Sequence, residues 1–265
     1  MSGRVADRFL ELLRDEGVDR VFGNPGTTEV PMIEALSGAR DLTYTLGVQE
    51  QAVVAMADGY ARTSGRPSFV NLHAAGGLSN GLIGMLNALR SHTPMVVTAG
   101  QQDQRHLVYG PMLSGDLVGL ARTAAKSAEQ VHRAEDLPIV MRRAFALART
   151  APAGPVFVSI PSELFGQEGA PAAPVRTAPP GLGVADGVDR AAAVLAAAER
   201  PAIIAGDRVG QGGAVGELME LAEVLGAVVV PQPMFDAVNA DSEHPLTAPM
   251  PPPPARQGPR GPRRP

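Results

Sequence analysis

Two ionisable residues of this sequence stand where α/β proteins place catalytic groups. Glu50 lies in LGVQEQAVVAMADGY, between a strand-like run and a segment too apolar to form a surface helix. His73 directly follows the strand-like run PSFVNL. A partly buried carboxylate and an imidazole are suited to proton transfer. Taken alone, the position of Glu50 favours a helix-capping or first-turn acid, and His73 could equally be a hydrogen-bonding residue of a loop.

Further candidates come from GNPGTTEVP, where a turn precedes a predicted helix. The turn contains Asn24, Pro25 and Gly26. A glycine at position 26 would allow the backbone to approach a ligand closely. Thr27 offers a hydroxyl group to such a ligand, although Thr27 or Thr28 could instead cap the helix that begins near Pro31.

The elements that carry these residues follow an alternating pattern. An amphipathic helix with Val5, Phe9, Leu12 and Leu13 opens the chain and stops near Gly17. Short β-like runs then alternate with helical stretches as far as the strand PVFVSIP. Strands separated by helices predict an α/β fold with a parallel sheet covered by helices on both faces. Because such sheets bind ligands at the carboxyl ends of their strands, the candidates lie on the loops expected to carry function.

Changes in composition divide the chain into four parts. Residues 1–165 form the first α/β domain, and residues 166–183, rich in Gly, Pro and Ala, form an extended linker. Residues 184–250 are a truncated central α/β domain. Residues 251–265, PPPPARQGPRGPRRP, are expected to be disordered, either as a basic binding tail or as the product of out-of-frame translation.

Charge and composition exclude several classes of function. A net charge of −4 argues against a nucleic-acid or anionic-membrane partner. The sequence contains no cysteine, so thiolate metal sites and cysteine nucleophiles are excluded. It shows no signal core and no apolar stretch of about 18 residues, which predicts a cytoplasmic protein that acts on a small molecule.

Four motifs in order carry a family resemblance. GNPGTTE, GVQEQAVVAMADGYAR, NLHAAGG and SHTPMVVTAGQQ resemble, in order and spacing, the pyrimidine-binding domain of thiamine-diphosphate-dependent enzymes. Within that family they are most similar to the benzoylformate decarboxylases. The resemblance covers Val5 to Pro161 and extends weakly into the partial second domain.

The resemblance implies roles for the candidate residues. Glu50 matches the family's activating glutamate, whose carboxyl group hydrogen-bonds the pyrimidine ring and promotes deprotonation of the thiazolium carbon. His73 matches a histidine that faces the substrate and assists proton transfer, which acetolactate-synthase-like relatives lack. Thr27 stands where the benzoylformate decarboxylases have a serine that contacts the substrate carboxylate. The turn at Asn24, Pro25 and Gly26 would flank the cofactor, thiamine diphosphate.

The family's magnesium and diphosphate site has no counterpart here. Relatives use a GDG motif and an Asn in a carboxyl-terminal domain, and no GDG occurs in this sequence, so we expect no metal ligand in this chain. The resemblance implies a carboxy-lyase acting on a 2-oxo acid such as benzoylformate. It also implies assembly as a homodimer or homotetramer, or with a separate diphosphate-binding chain. A carboligase fragment and a non-catalytic dimerisation module are the alternatives.

Overall fold

The chain forms two compact units, Met1–Gly181 and Leu182–Pro265. The computed structural model describes residues 3–176, 185–232 and 237–249. The predicted tail, 251–265, and residues 177–183 of the predicted linker lie outside the described residues. The four-part domain division from the sequence therefore stays a prediction.

The first unit alternates strands and helices along the chain. Its strands are β1 (Gly3–Arg4), β2 (Arg20–Gly23), β3 (Thr43–Leu46), β4 (Ser68–Leu72), β5 (Met95–Gln101), β6 (Ser127–Gln130), β7 (Pro155–Pro161) and β8 (Glu168–Ala170). Its helices are α1 (Val5–Asp15), α2 (Val30–Ser37), α3 (Glu50–Ser64), α4 (Ala74–Arg90), α5 (Leu117–Ala121), α6 (Leu137–Arg149) and α7 (Ser162–Phe165). Short 3₁₀ turns lie at Thr27–Glu29, Leu107–Tyr109 and Ala134–Asp136.

Six of these strands form one parallel sheet in the order β3-β2-β4-β5-β7-β6. The chain runs from β2 outward to β3, and β4 then returns to the other side of β2. Strand order therefore reverses between β2 and β4, and a crevice opens beyond the carboxyl ends of strands at such a point. The predicted α/β fold is confirmed, and its topology places the loops after β2 and β4 side by side.

Helices cover both faces of the sheet with separate apolar clusters. On one face Phe9 of α1 packs edge-on against Phe69 of β4, with ring centroids 5.8 Å apart, and Phe145 of α6 stacks on Phe69. On the other face α3 and α4 pack together, and a Cβ atom added at Gly84 would lie 2.8 Å from Val54 Cβ. This close approach positions α3 and α4, which both carry candidate site residues.

A cluster of charged side chains joins α1 and α6 and holds the last described segment of the first unit against α6. Arg142 of α6 donates to the carboxylates of Asp15 and Glu16 and, at 2.9 Å, to the backbone carbonyl of Pro174. Arg149 donates to Glu16 Oε2 at 2.5 Å. Only 1% of the Glu16 side chain is exposed. We call Asp15, Glu16, Arg142 and Arg149 the α1–α6 clasp. It holds residues just beyond β8, the strand that pairs antiparallel with β1.

The second unit is a smaller α/β arrangement. Its helices are α8 (Val188–Ala196), α9 (Asp207–Gln211) and α10 (Val215–Leu225), and its parallel strands are β9 (Ala202–Ala205) and β10 (Val228–Pro231). The Asp207 carboxylate accepts hydrogen bonds of 2.9 Å from Gln232 Nε2 and Asn239 Nδ2. The acidic side chain of the GDRVGQGG segment thus holds neighbouring loops together.

Within the described parts of the chain, no helix is both long enough and apolar enough to cross a membrane.

Candidate functional site

The candidate site lies at the carboxyl edge of the central sheet, where strand order reverses. The loop after β2, the first turn of α3, the start of α4 and the end of β5 meet there. Glu50 and His73, which were predicted from the sequence, both belong to this edge. Two groups of hydrogen bonds make up the site, one around Glu50 and one around Glu29.

Glu50 is the first residue of α3 and is 8% exposed. The preceding Gln49 caps the helix by accepting a hydrogen bond from the Ala52 amide at 2.9 Å, so Glu50 itself is not needed as a cap. Asn24 Nδ2 donates to Glu50 Oε1 at 3.0 Å, and Asn80 Nδ2 donates to Oε2 at 3.1 Å. Each carboxylate oxygen has two lone pairs, so the group keeps capacity for another donor.

Glu29 is a second carboxylate at this edge and is 1% exposed. Its Oε1 accepts from Thr28 Oγ1 at 2.6 Å and from the Gly100 amide at 3.0 Å. Its Oε2 lies 2.8 Å from both the Gly26 amide and His73 Nδ1. Four polar partners from three different segments therefore converge on one buried carboxylate, and these hydrogen-bond partners compensate for its removal from water.

His73 lies between the two carboxylate groups. Its Nδ1 faces Glu29 Oε2 and lies 3.1 Å from Thr28 Oγ1. A Cβ atom added at Gly77 would lie 3.3 Å from Glu50 Oε1 and 3.6 Å from His73 Cβ, so this glycine touches both candidates. The next residue, Ala74, has a φ of +49°, a left-handed conformation that costs about 1 kcal/mol or more for a non-glycine residue. Such strain is common at functional sites.

Gly26 packs directly on the His73 ring. A Cβ atom at this position would overlap ring atoms Cε1, Nδ1 and Cγ. The φ of Gly26 is −129°, which any residue can adopt, so the glycine is required for space and not for backbone conformation. The predicted close backbone approach at Gly26 is thus made to His73 in this structure.

Replacing Gly26 with Ala should push the His73 ring away from Glu29. We expect the free energy of unfolding to fall by about 1–3 kcal/mol, the usual cost of an added methyl group in a packed site. Urea denaturation measures this change. Gly59→Ala is the matched control, because a Cβ atom there meets nothing within 4 Å, and it should stabilise α3 by about 0.5–1 kcal/mol. Equal stability of the Gly26 variant and the wild type would contradict the packing described here.

The two threonines of the turn have different environments. Thr28 is buried, and its hydroxyl group donates to Glu29 and does not cap α2, whose N-cap position is Glu29. Thr27, the predicted substrate-contacting residue, is exposed on the same turn. Pro25 and Thr27 border a shallow surface groove that is lined mainly by apolar groups. The contact of Thr27 with a substrate stays a prediction.

Two residues of the site were not assigned roles from the sequence. Glu29 reads as an ordinary first-turn acid of α2, although its spacing three residues after Gly26 matches that of a capping box. Asn80 lies on the second turn of α4, 30 residues from the carboxylate it contacts.

Burial together with the charge of Glu29 raises the pKa of Tyr44, whose hydroxyl group lies beside Gly23. Tyr44 is therefore neutral beneath the site at physiological pH.

The part of the chain that the structure describes contains no cluster of three or more His, Cys, Asp or Glu side chains placed to hold a metal ion. The Glu50 and Glu29 carboxylates are each surrounded by N–H or O–H donors, which a cation would have to displace. The arrangement is suited to accepting hydrogen bonds and moving protons, and it does not resemble the oxygen cage that magnesium prefers.

Comparison with protein families assigns both units. Residues 3–120 match the N-terminal TPP binding domain of thiamine pyrophosphate enzymes, and residues 188–253 match the central domain of the same enzymes. The chain belongs to the thiamine pyrophosphate enzyme family. The family resemblance predicted from the four motifs is confirmed, and the candidate site lies inside the matched N-terminal domain.

Individual members of the thiamine pyrophosphate enzyme family are similar to this chain in sequence and in structure. Benzoylformate decarboxylase of Pseudomonas aeruginosa is 42% identical over 158 residues, which is 59% of this chain and 30% of that protein. The acetolactate synthase large subunit of Haemophilus influenzae is 35% identical over 158 residues, 60% of this chain and 28% of the relative. A solved structure, the thiamine diphosphate-dependent 4-hydroxybenzoylformate decarboxylase of Rhodococcus jostii RHA1, is 34% identical, with a TM-score of 0.86.

This chain spans only part of its relatives. The match to the Rhodococcus jostii structure covers 93% of this chain but 47% of that protein. The curated relatives are covered to about a third of their length. The activity of a whole relative therefore does not transfer directly to these 265 residues.

Proposed function

We propose that this chain is the aminopyrimidine-binding, cofactor-activating half of a thiamine-diphosphate-dependent 2-oxo acid decarboxylase. The observation that carries the proposal is the Glu50 carboxylate, which is buried at the sheet edge, held by two amide groups and still able to accept a further hydrogen bond. A ring nitrogen of an aminopyrimidine is a donor of the required kind.

The described residues fit the pyrimidine portion of the cofactor. Asn24, Pro25, Gly26, Glu50 and His73 would hold it, because the turn residue Asn24 fixes the Glu50 acceptor and Gly26 lets the turn lie close to His73. When bound, the cofactor supplies a thiazolium ring that accepts the electron pair released on decarboxylation. The diphosphate and its magnesium ion do not fit the described residues, so we assign that half of the site to another domain or chain.

Glu50 and His73 have separate tasks in this proposal. Glu50 accepts a hydrogen bond from the ring and orients it, and Asn24 and Asn80 fix both carboxylate oxygens while it does so. His73 is fixed at Nδ1, so its Nε2 is the nitrogen left to exchange a proton with a substrate. The Thr27 hydroxyl group is the candidate for contact with the substrate carboxylate.

Benzoylformate or a similar aryl 2-oxo acid is the substrate class that we propose. Its support is the similarity to benzoylformate decarboxylase, at 42% identity, and the presence of His73, which like Glu50 lies against Gly77. Carboligation of the acetolactate synthase kind is the second candidate, supported by the 35% identity with such a subunit. The proposed partners are further copies of this chain in a dimer or tetramer, or a separate diphosphate-binding chain.

Calorimetric titration with thiamine and with thiamine diphosphate tests the proposal. If this chain holds only the pyrimidine half of the cofactor, both ligands should bind with similar affinity, because the diphosphate adds no contact. Magnesium should not change the affinity, and the same sample should not decarboxylate benzoylformate.

Two results would contradict parts of the proposal. Magnesium-dependent binding of thiamine diphosphate with turnover would show that this chain holds a complete active site. Failure of both ligands to bind at millimolar concentration would show that the sheet edge is not an aminopyrimidine site in this chain.

A further inference from the structure

Glu29 cannot serve a substrate or cofactor directly, because its lone-pair sites are already used. Its two oxygens accept three hydrogen bonds and lie against His73 Nδ1 as a fourth partner, and its side chain is 1% exposed. Two of the donors, the amides of Gly26 and Gly100, belong to the backbone and cannot rotate away. Any effect of Glu29 on a substrate or cofactor must therefore be exerted through another residue.

The proton positions in this cluster follow from the chemistry of its members. The Thr28 hydroxyl proton points at Glu29 Oε1, 2.6 Å away, which leaves the Thr28 oxygen as an acceptor. His73 Nδ1 then faces two acceptors, Glu29 Oε2 at 2.8 Å and Thr28 Oγ1 at 3.1 Å. A ring nitrogen between two acceptors must carry a hydrogen.

We infer that Glu29 is a positioning residue that holds the neutral ring of His73 as the Nδ1–H tautomer, so that in this neutral ring Nε2 is the proton-accepting atom of the site. The hydrogen bond made by one ring nitrogen decides which tautomer a neutral histidine adopts. Gly26 supports this arrangement, because its backbone lies against the ring and prevents His73 from turning away.

The value of this arrangement for catalysis rests on the proposed function, but the tautomer itself does not. A ring with a free Nε2 lone pair can take a proton from a substrate or a bound water molecule. The opposite tautomer would offer a donor at the same place and would first have to lose a proton. Glu29 thus decides whether His73 begins a reaction as a base or as a donor.

NMR spectroscopy of the chain labelled with ¹⁵N-histidine tests the inference without any ligand. The sequence contains five histidines, and a His73→Gln variant identifies the signals of His73 by difference. Long-range proton–nitrogen correlations then show which ring nitrogen carries the hydrogen. We expect the neutral wild-type ring to be in the Nδ1–H form only. An Nε2–H wild-type ring would overturn the inference, and this measurement needs no variant of Glu29 to fold.

Glu29→Gln and Thr28→Val separate positioning from a merely structural role. In Glu29→Gln, neither orientation of the new side-chain amide can accept from both Gly26 and Gly100. Both orientations should therefore occur, and His73 should divide between its two tautomers. Thr28→Val keeps both Glu29 oxygens, and the ring should stay in the Nδ1–H form. A single Nδ1–H form in folded Glu29→Gln would overturn the inference. Because no thiamine is present, this result is independent of whether the proposed function holds.

Discussion

Replacing Glu50 with Gln should weaken the binding of thiamine about 10- to 100-fold. A hydrogen bond to a charged group contributes about 1.5–3 kcal/mol, and the substitution removes that charge. It also leaves one acceptor oxygen where Asn24 and Asn80 now use two. The remaining oxygen would be shared with the ligand, so the loss of acceptor capacity adds to the loss of charge.

Titration calorimetry with thiamine measures this effect, and circular dichroism checks that the variant is folded. Glu135→Gln is the matched control, because the Glu135 side chain is 54% exposed on the turn before α6 and pairs with Arg133 at the surface. It should bind thiamine like the wild type. Equal binding by Glu50→Gln would mean that the carboxylate does not contact the ring, and a different acceptor would have to be found.

Replacing Arg142 with Met should lower the free energy of unfolding of the first unit by about 3 kcal/mol. The α1–α6 clasp buries the Glu16 carboxylate, and removal of one partner from a buried ion pair typically costs about 3–5 kcal/mol. We expect the lower end because Arg149 remains bonded to Glu16. The substitution also removes the hydrogen bond to the Pro174 carbonyl.

Tyrosine fluorescence during urea denaturation measures the unfolding of the first unit separately from that of the second. The chain has no tryptophan, and its three tyrosines, at positions 44, 60 and 109, all lie in the first unit. Arg143→Met is the control on the same helix, because Arg143 pairs with Glu129 at the surface and should contribute less than about 1 kcal/mol. If the two variants unfold at the same urea concentration, burial of the clasp does not stabilise this unit.

Alternation of strands and helices was enough to predict the fold. Long apolar runs such as PMVVTAG and PVFVSIP became fully buried strands, β5 and β7. The strand Ser127–Gln130 was not predicted, because SAEQ lacks the apolar character of a buried strand. It lies at the edge of the sheet beside β7, where one side needs no strand partner and partial exposure is tolerated.

The candidate site was predicted only in part, because its hydrogen bonds join residues that are distant in sequence. Glu50 and His73 stand next to recognisable strand ends, so position alone drew attention to them. Nothing in the local sequence shows that Glu29 would meet Gly100, 71 residues later. The same holds for Asn80 and Glu50. These contacts depend on the order of the strands in the sheet, which the alternation of strands and helices along the chain does not specify.

The turn at Thr27 and Thr28 shows a different limit of sequence reasoning. Adjacent hydroxyl groups in one short 3₁₀ turn point in different directions, and the sequence cannot say which one turns inward. The structure directs Thr28 to His73 and leaves Thr27 exposed. The two threonines differ in environment because consecutive residues of the turn point in different directions. One side chain faces the sheet edge and the other faces the surface.

The contact between Glu29 and His73 joins residues 44 positions apart, which has a consequence for the order of folding. Closing a flexible loop of that length costs about 3 kcal/mol of chain entropy beyond a constant, more than one hydrogen bond returns. We therefore expect the contact to form only once pairing of β2 with β4 has brought its two loops together. On this expectation, assembly of the proposed catalytic centre follows formation of the sheet.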